Sequence, residues 1–413
     1  MKSKFFESTK ILKTMVSTLL AAIIILSTLA PFASASTATP ANSAVSAVSA
    51  VSANQSASTT TTRPGYRPRY QIPTNFTELV EEIRGIIFTY NPEIADMLLE
   101  VTDQTRPNLP VSGPQSPNFH PGLHTHTINE FIAVYVIDGP NMAAQMWDGT
   151  IRAIHYAAHW YVMLLTPSRL VGGQWWRSFD FKVSGQRITV AFSAGHDSLI
   201  PTAASAGSLP QQFRCSLWEK YVSPTSYNMC ANVNAVYGLL NELFAFYTDA
   251  RGMAGGMNGY IMSYIERNGF CVDIARIFFF NRGHVSLFYS FVFWTVHHLL
   301  YLQENHPVQF RNIMNNEAFR KVFAYTYHNY RELIYVITQN NNREFLESLS
   351  MMGVRFTAEN GVAWFDVGNG WQSGVNIAPH STRCEKAAIV IQELSTPRYA
   401  DMLSYLLGDF SIE

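Results

Sequence analysis

Two long helical stretches with a strand-like stretch between them constrain the fold of this 413-residue chain most. Residues 142–165 and 232–251 each read as one long helix. Residues 175–192 alternate as one or two strands, with a turn near Gly185-Gln186. Earlier, Leu79, Ile83, Ile86 and Ile87 form one helical stripe over residues 78–90, and a short helix follows Pro92. Residues 128–137 are rich in β-branched and aromatic side chains and predict a strand. Residues 257–335 predict several helices broken near Asn281–Gly283 and at Pro307. A hairpin is expected over 354–365 with Asn360-Gly361 as its turn, and two helices, 382–394 and 399–407, follow. The fold class is α+β, with helices dominant and strands local.

The two ends of the chain are unlike. Lys2 to Lys13 is basic, residues 15–30 are apolar, and Ala33-Ser34-Ala35 is a small-residue cleavage signal. Residues 1–35 therefore read as a secretory signal peptide cleaved near Ala35, with no stable membrane span after cleavage. Residues 36–73 are low-complexity, rich in Ser, Ala, Thr and Pro, and read as a disordered tether. Residues 74–413 form the expected globular domain, with a helical half from about residue 255.

Charge then narrows the partners. Only 14% of residues are charged, and without residues 1–35 there are 25 basic and 29 acidic ones. That balance lacks the basic footprint of a nucleic-acid binder. A secreted chain of this kind points to extracellular peptide, protein or cell-wall polymer as its contact. Export permits disulfides. Cys215 and Cys230 are the nearest pair among Cys215, Cys230, Cys271 and Cys384, and isolated buried thiols are the alternative. No C-x-x-C supports a zinc ribbon or a thioredoxin-like site.

His155 and His159 lie four apart on the first long helix, so both imidazoles leave one face. Two His at this spacing are the usual helical half of a zinc site. The later helix supplies Asn241, Glu242 and Asp249, with Glu242 and Asp249 seven apart on one face. Glu242 is the candidate third ligand, and Asp249 and Asn241 are candidates to orient the ligands. The same His pair, flanked by Trp160 and Tyr161, equally reads as hydrogen-bonded side chains of an aromatic core.

At these residues the chain resembles zincin-type zinc metallopeptidases, of the gluzincin-like group whose third ligand is a Glu on a downstream helix. The resemblance implies a mainly helical zincin-like domain with a small β-region between the two motif helices. It implies Zn2+ held by His155, His159 and Glu242. The chain departs from the group where H-E-x-x-H has its general-base Glu: that position is Tyr156. Phenols are poor bases at neutral pH, so the expected protein is a secreted metallopeptidase-like pseudoenzyme with peptide hydrolysis impaired or lost. The alternative is a noncatalytic extracellular module that binds peptide or glycan through an aromatic cleft with Trp160, Trp175 and Trp176.

Other His-containing stretches are weaker candidates. His124 and His126 with Glu130 read as a polar strand edge, and His196-Asp197 as a cleft rim. His297-His298, adjacent on a helix, face different directions and do not share a metal easily. Gly252 to Gly256 lacks the Lys-Ser/Thr of a phosphate loop.

Overall fold

The apolar stripe Leu79, Val80, Ile83, Ile86 and Ile87 is buried along helix α1 (Phe76–Tyr90). Pro92 then opens α2 (Pro92–Thr102), where a first-turn residue needs no N–H partner. In this computed structural model the described residues are 76–102, 128–135, 142–164, 169–171, 174–193, 199–214, 216–223, 234–268, 270, 283–337, 341–359, 362–368, 372–376, 384–408 and 410. All belong to one unit, Pro68–Glu413. The signal peptide and tether expected over 1–73 lie outside them, as do Cys215, Cys230 and Cys271 and the side chain of Cys384.

Helices α3 (Ile128–Tyr135) and α4 (Met142–Leu164) come next. Helix α3 corrects the strand expected over 128–137. Phe131 and Ile132 are both fully buried, although successive strand residues point to opposite faces. Packing against α1, α2 and α4 overrides the strand propensity of the β-branched and aromatic residues.

Strands β1 (Arg169–Val171), β2 (Gln174–Val183) and β3 (Gln186–Ser193) form an antiparallel sheet in that order. Ser184 and Gly185 close the β2–β3 hairpin, both with positive φ (49° and 75°), as a two-residue type I′ loop requires. One face buries Phe179, Phe181, Val183, Val190 and Phe192. The other buries Asp180, which accepts hydrogen bonds from Arg187 and Thr189, both at 2.6 Å.

Short helices α5 (Ala203–Ala206) and α6 (Ser216–Tyr221) lead to α7 (Ala235–Asn268). Helix α7 packs against α1 and α4 and against two later helices, α8 (Gly283–Asn305) and α10 (Glu317–Tyr335). From residue 235 to 250 every residue except Phe246 is buried. It runs far beyond the helix expected over 232–251 and takes in the glycine-rich stretch. Glycine disfavours helix by about 1 kcal/mol relative to alanine, but Gly252 sits at a close approach. A Cβ there would lie 2.7 Å from Ile154 Cδ1 of α4.

Helix α9 (Pro307–Met314) falls between α8 and α10, so the break at Pro307 stands where the sequence puts it. Asn316 caps α10 by accepting from the Phe319 backbone N–H at 3.1 Å. Helix α8 is long and apolar enough to cross a membrane, and 78% of its apolar window is buried inside the unit. Helix α11 (Asn341–Met351) precedes a second antiparallel sheet of β4 (Arg355–Glu359), β5 (Val362–Asp366) and β6 (Gln372–Asn376). Glu359 pairs with Val362, and the Asn360-Gly361 turn expected there lies outside the described residues. Strand β6 and helix α11 were not anticipated. Helices α12 (Cys384–Leu394) and α13 (Pro397–Leu407) complete the described elements. The fold is thus mainly helical with two small antiparallel sheets, the first lying in sequence between α4 and α7.

Two glycines inside helices, Gly252 and Gly85, give opposite expectations. Gly252→Val forces α4 and α7 apart and should lower stability by about 1–3 kcal/mol. Gly85→Ala, in an exposed position of α1 with nothing within 4 Å of the new Cβ, should raise it by up to about 1 kcal/mol. Urea midpoints of the two variants against the parent measure both signs.

Candidate metal centre

Helix α4 carries His155 and His159 one turn apart, and the facing side of α7 carries Asn241, Glu242 and Asp249. Their rings and carboxylates meet where the two helices pack. His159 Nδ1 lies 3.1 Å from Asn241 Oδ1, and His155 Nδ1 lies 2.9 Å from Asp249 Oδ2. The two Nε2 atoms face each other at 3.1 Å, and Glu242 Oε2 is 3.5 Å from His159 Nε2. Asn241, Glu242, Asp249 and His159 are buried, and His155 is nearly so.

These contacts satisfy a donor set. Each Nδ1 is taken by a residue of α7, so each ring turns its Nε2 to the common point. His155, His159 and Glu242 offer ligand atoms that all lie within 4.8 Å of one another, and this buried group could hold a metal ion. Three donors on a tetrahedral zinc at 2.0–2.1 Å stand about 3.3 Å apart. Two of the three separations, 3.1 Å and 3.5 Å, lie within a few tenths of that, and the third, between His155 and Glu242, falls within the 4.8 Å spread of the group. At 3.1 Å the two Nε2 atoms need one hydrogen between them, and a cation bound by both would replace it. Asp249 Oδ1 is buried without a hydrogen-bond partner, so the carboxylate is committed to His155 alone through Oδ2.

Burial governs the charges. It pushes His155 down to about 3, helped by the neighbouring His159 and, more weakly, Lys220, and opposed by Glu242. His159 is also penalised by burial, but the charge and contact of Glu242 outweigh this and raise it. Burial lifts Asp249 well above the usual carboxylate range, with Glu242 adding to the lift and His159 opposing it. Behind Asp249 stands another buried polar pair, Tyr330 OH and His284 Nδ1 at 2.7 Å. Burial and then the Asp249 charge raise Tyr330.

Tyr156 occupies the position after the first His, with its ring 5.5 Å from His155 and 6.3 Å from His159. Phe246 packs on His155 at 4.8 Å. The sequence reading passed over Phe246, although it falls four residues after Glu242 on the same face of α7, where the helical period already pointed. Tyr330 and His284 come from distant helices and left no local signal.

Other candidates separate from this centre. His298 is fully buried: Nδ1 meets Ser205 Oγ at 2.9 Å and Nε2 meets the Ile200 carbonyl at 3.2 Å. His297 meets Tyr399 OH at 2.8 Å and Ser208 Oγ at 3.1 Å, and its Nε2 lies 3.3 Å from the Ser205 carbonyl, so both rings of the adjacent pair reach Ser205. Trp160 is buried, edge-on to Phe131 at 6.3 Å, and so belongs to the core and not to an open cleft. The side chains of Glu130, Trp175 and Trp176 and all of His124, His126, His196 and Asp197 lie outside the described residues.

His298 makes stability pH-dependent. Burial lowers it to about 3, while in the unfolded chain it titrates near 6.5. Below pH 6.5 the unfolded chain takes up a proton that the folded chain refuses, so stability falls with acidity from 6.5 towards 3. The loss from this group should reach about 2 kcal/mol by pH 5. Urea unfolding at pH 7.5 and pH 5 should show a smaller acid loss in His298→Gln than in the parent.

No protein-family model matches the chain, and neither the curated proteins nor the solved structures searched contain a match.

Proposed function

We propose that the protein is a secreted, zincin-like metalloprotein that holds zinc through His155, His159 and Glu242, with peptide hydrolysis weak or lost. One observation carries this reading: two Nε2 atoms and a carboxylate converge while Asp249 and Asn241 already hold both Nδ1 atoms. Hydrogen bonding alone would satisfy a buried His pair; what favours a metal is that both Nε2 atoms turn towards each other beside the Glu242 carboxylate. The order is helix, antiparallel strands, helix, and the long separation of His159 from Glu242 requires the strand segment as an insertion between the two motif helices. The export signal read in residues 1–35 supports an extracellular setting.

Zinc in such a site acts as a Lewis acid that polarises a carbonyl or activates a water. The chain's own residues do the rest. Glu242 brings negative charge to the centre, and Asp249 and Asn241 fix the ring planes. Phe246 shields one side of His155. Tyr156 places an aromatic ring where the zincin pattern has a carboxylate, so no carboxylate at that position takes up a proton during attack on a peptide. That favours binding of peptide over its rapid cleavage.

Metal analysis of the purified mature protein by mass spectrometry should give about one zinc per chain. His155→Ala should lose it, and Asp249→Asn should weaken affinity about 10- to 100-fold. Absence of stoichiometric metal after incubation with zinc would remove the centre. Tyr156→Glu, loaded with zinc, should cleave peptides faster than the parent. Equal rates would remove the argument that Tyr156 is what limits hydrolysis.

A further inference from the structure

The second sheet presents a face that the metal centre does not use. Ala363 and Phe365 of β5 are fully buried, and Phe365 packs on Phe356 at 5.5 Å and Phe270 at 5.1 Å. Strand alternation therefore sets Trp364 on the opposite, outer face. Its cross-strand neighbours are Thr357 on β4 and Gly374 on β6. Trp364 is 39% exposed, and it alone of the tryptophans with described side chains is an exposed one. An ideal Cβ on Gly374 would lie 3.0 Å and 3.2 Å from two carbons of its six-membered ring. The indole thus leans over the glycine and lies along the sheet, in space that any other residue at 374 would fill.

Packing of a ring over a cross-strand glycine accounts for the covered side of the indole. It leaves the other side as a flat apolar surface in water. Polar positions flank it on the same face. The Arg355–Asp366 pair stands two residues along in one direction, and the Glu359–Val362 pair, one polar and one apolar, stands two residues along in the other. Arg355 and Glu359 are exposed, and Asp366 is partly so. A flat aromatic surface ringed by planar hydrogen-bonding groups fits a sugar ring. A pyranose with equatorial hydroxyls has axial C–H bonds on both faces and hydroxyls around its edge. The flanking charges are one positive and two negative, which disfavours an anionic polymer.

We propose that this face is a saccharide platform, on which Trp364 stacks against one pyranose of a neutral β-linked polysaccharide and Thr357, Glu359, Arg355 and Asp366 bond to its hydroxyls. The platform is separate from the metal centre and does not rest on it.

Native electrophoresis of the full mature chain in gels containing hydroxyethylcellulose or glycol chitin tests it. The parent should be retarded, and the dissociation constant should rise at least about tenfold in Trp364→Ala and in Gly374→Val, which displaces the ring while keeping it. Gly85→Ala, an exposed change on α1, should be retarded like the parent. On the parent protein itself, cellohexaose or chitohexaose should protect Trp364 from N-bromosuccinimide oxidation, located by peptide mass spectrometry. The proposal is overturned if neither polymer retards the parent, if retardation survives in both sheet variants, or if Trp364 oxidises equally fast with and without oligosaccharide.

Discussion

The packing of α4 against α7 is the contact on which the candidate centre depends. Helix α7 packs against α1, α4, α8 and α10, and its Asn241, Glu242 and Asp249 are buried. A buried carboxylate or amide without a partner costs several kcal/mol. Asn241, Glu242 and Asp249 therefore need groups supplied by another helix, and the two His of α4 supply them. Gly252 shares this interface: its missing side chain leaves room for Ile154, the residue before His155. Apolar fit and polar pairing thus hold the same two helices in one register.

That arrangement concentrates ionisable groups in a water-poor layer. Burial drives His155 down and Asp249 up, while Glu242 pulls His159 the other way. Two imidazoles four residues apart therefore meet opposite electrostatic environments. Burial lowers both, but His159 has the Glu242 carboxylate in contact and His155 has the neighbouring His159 against it. A divalent cation would suit such a layer, because it draws on the lone pairs that otherwise compete for one hydrogen. Tyr156 and Phe246 line the same rings with aromatic surface, so the candidate centre combines three possible ligands with an aromatic wall.

Much of the helical framework was legible because the apolar period is strong. The stripe of α1, the length of α4 and the break at Pro307 all follow from local sequence. The β2–β3 hairpin was legible from its alternation, although its turn falls one residue earlier, at Ser184-Gly185. The misreadings share one cause. Residues 128–135 have the composition of a strand, yet neighbours on three helices decide that they form a helix. The glycines after Arg251 argue locally against helix, yet α7 continues through them because one packs against α4.

Sequence alone determined which side chains were available and on which helical face: His155 with His159, Glu242 with Asp249, and Tyr156 beside the first His. Helical spacing is a local property, so it is written in the chain. Tertiary structure decided that these two faces meet, that each Nδ1 finds its own partner on α7, and that Trp160 turns into the core. It also decided that Trp364 lies over Gly374, a pairing set by strand register. Contacts between residues some eighty to ninety positions apart depend on how the whole core fills, and no local period encodes that.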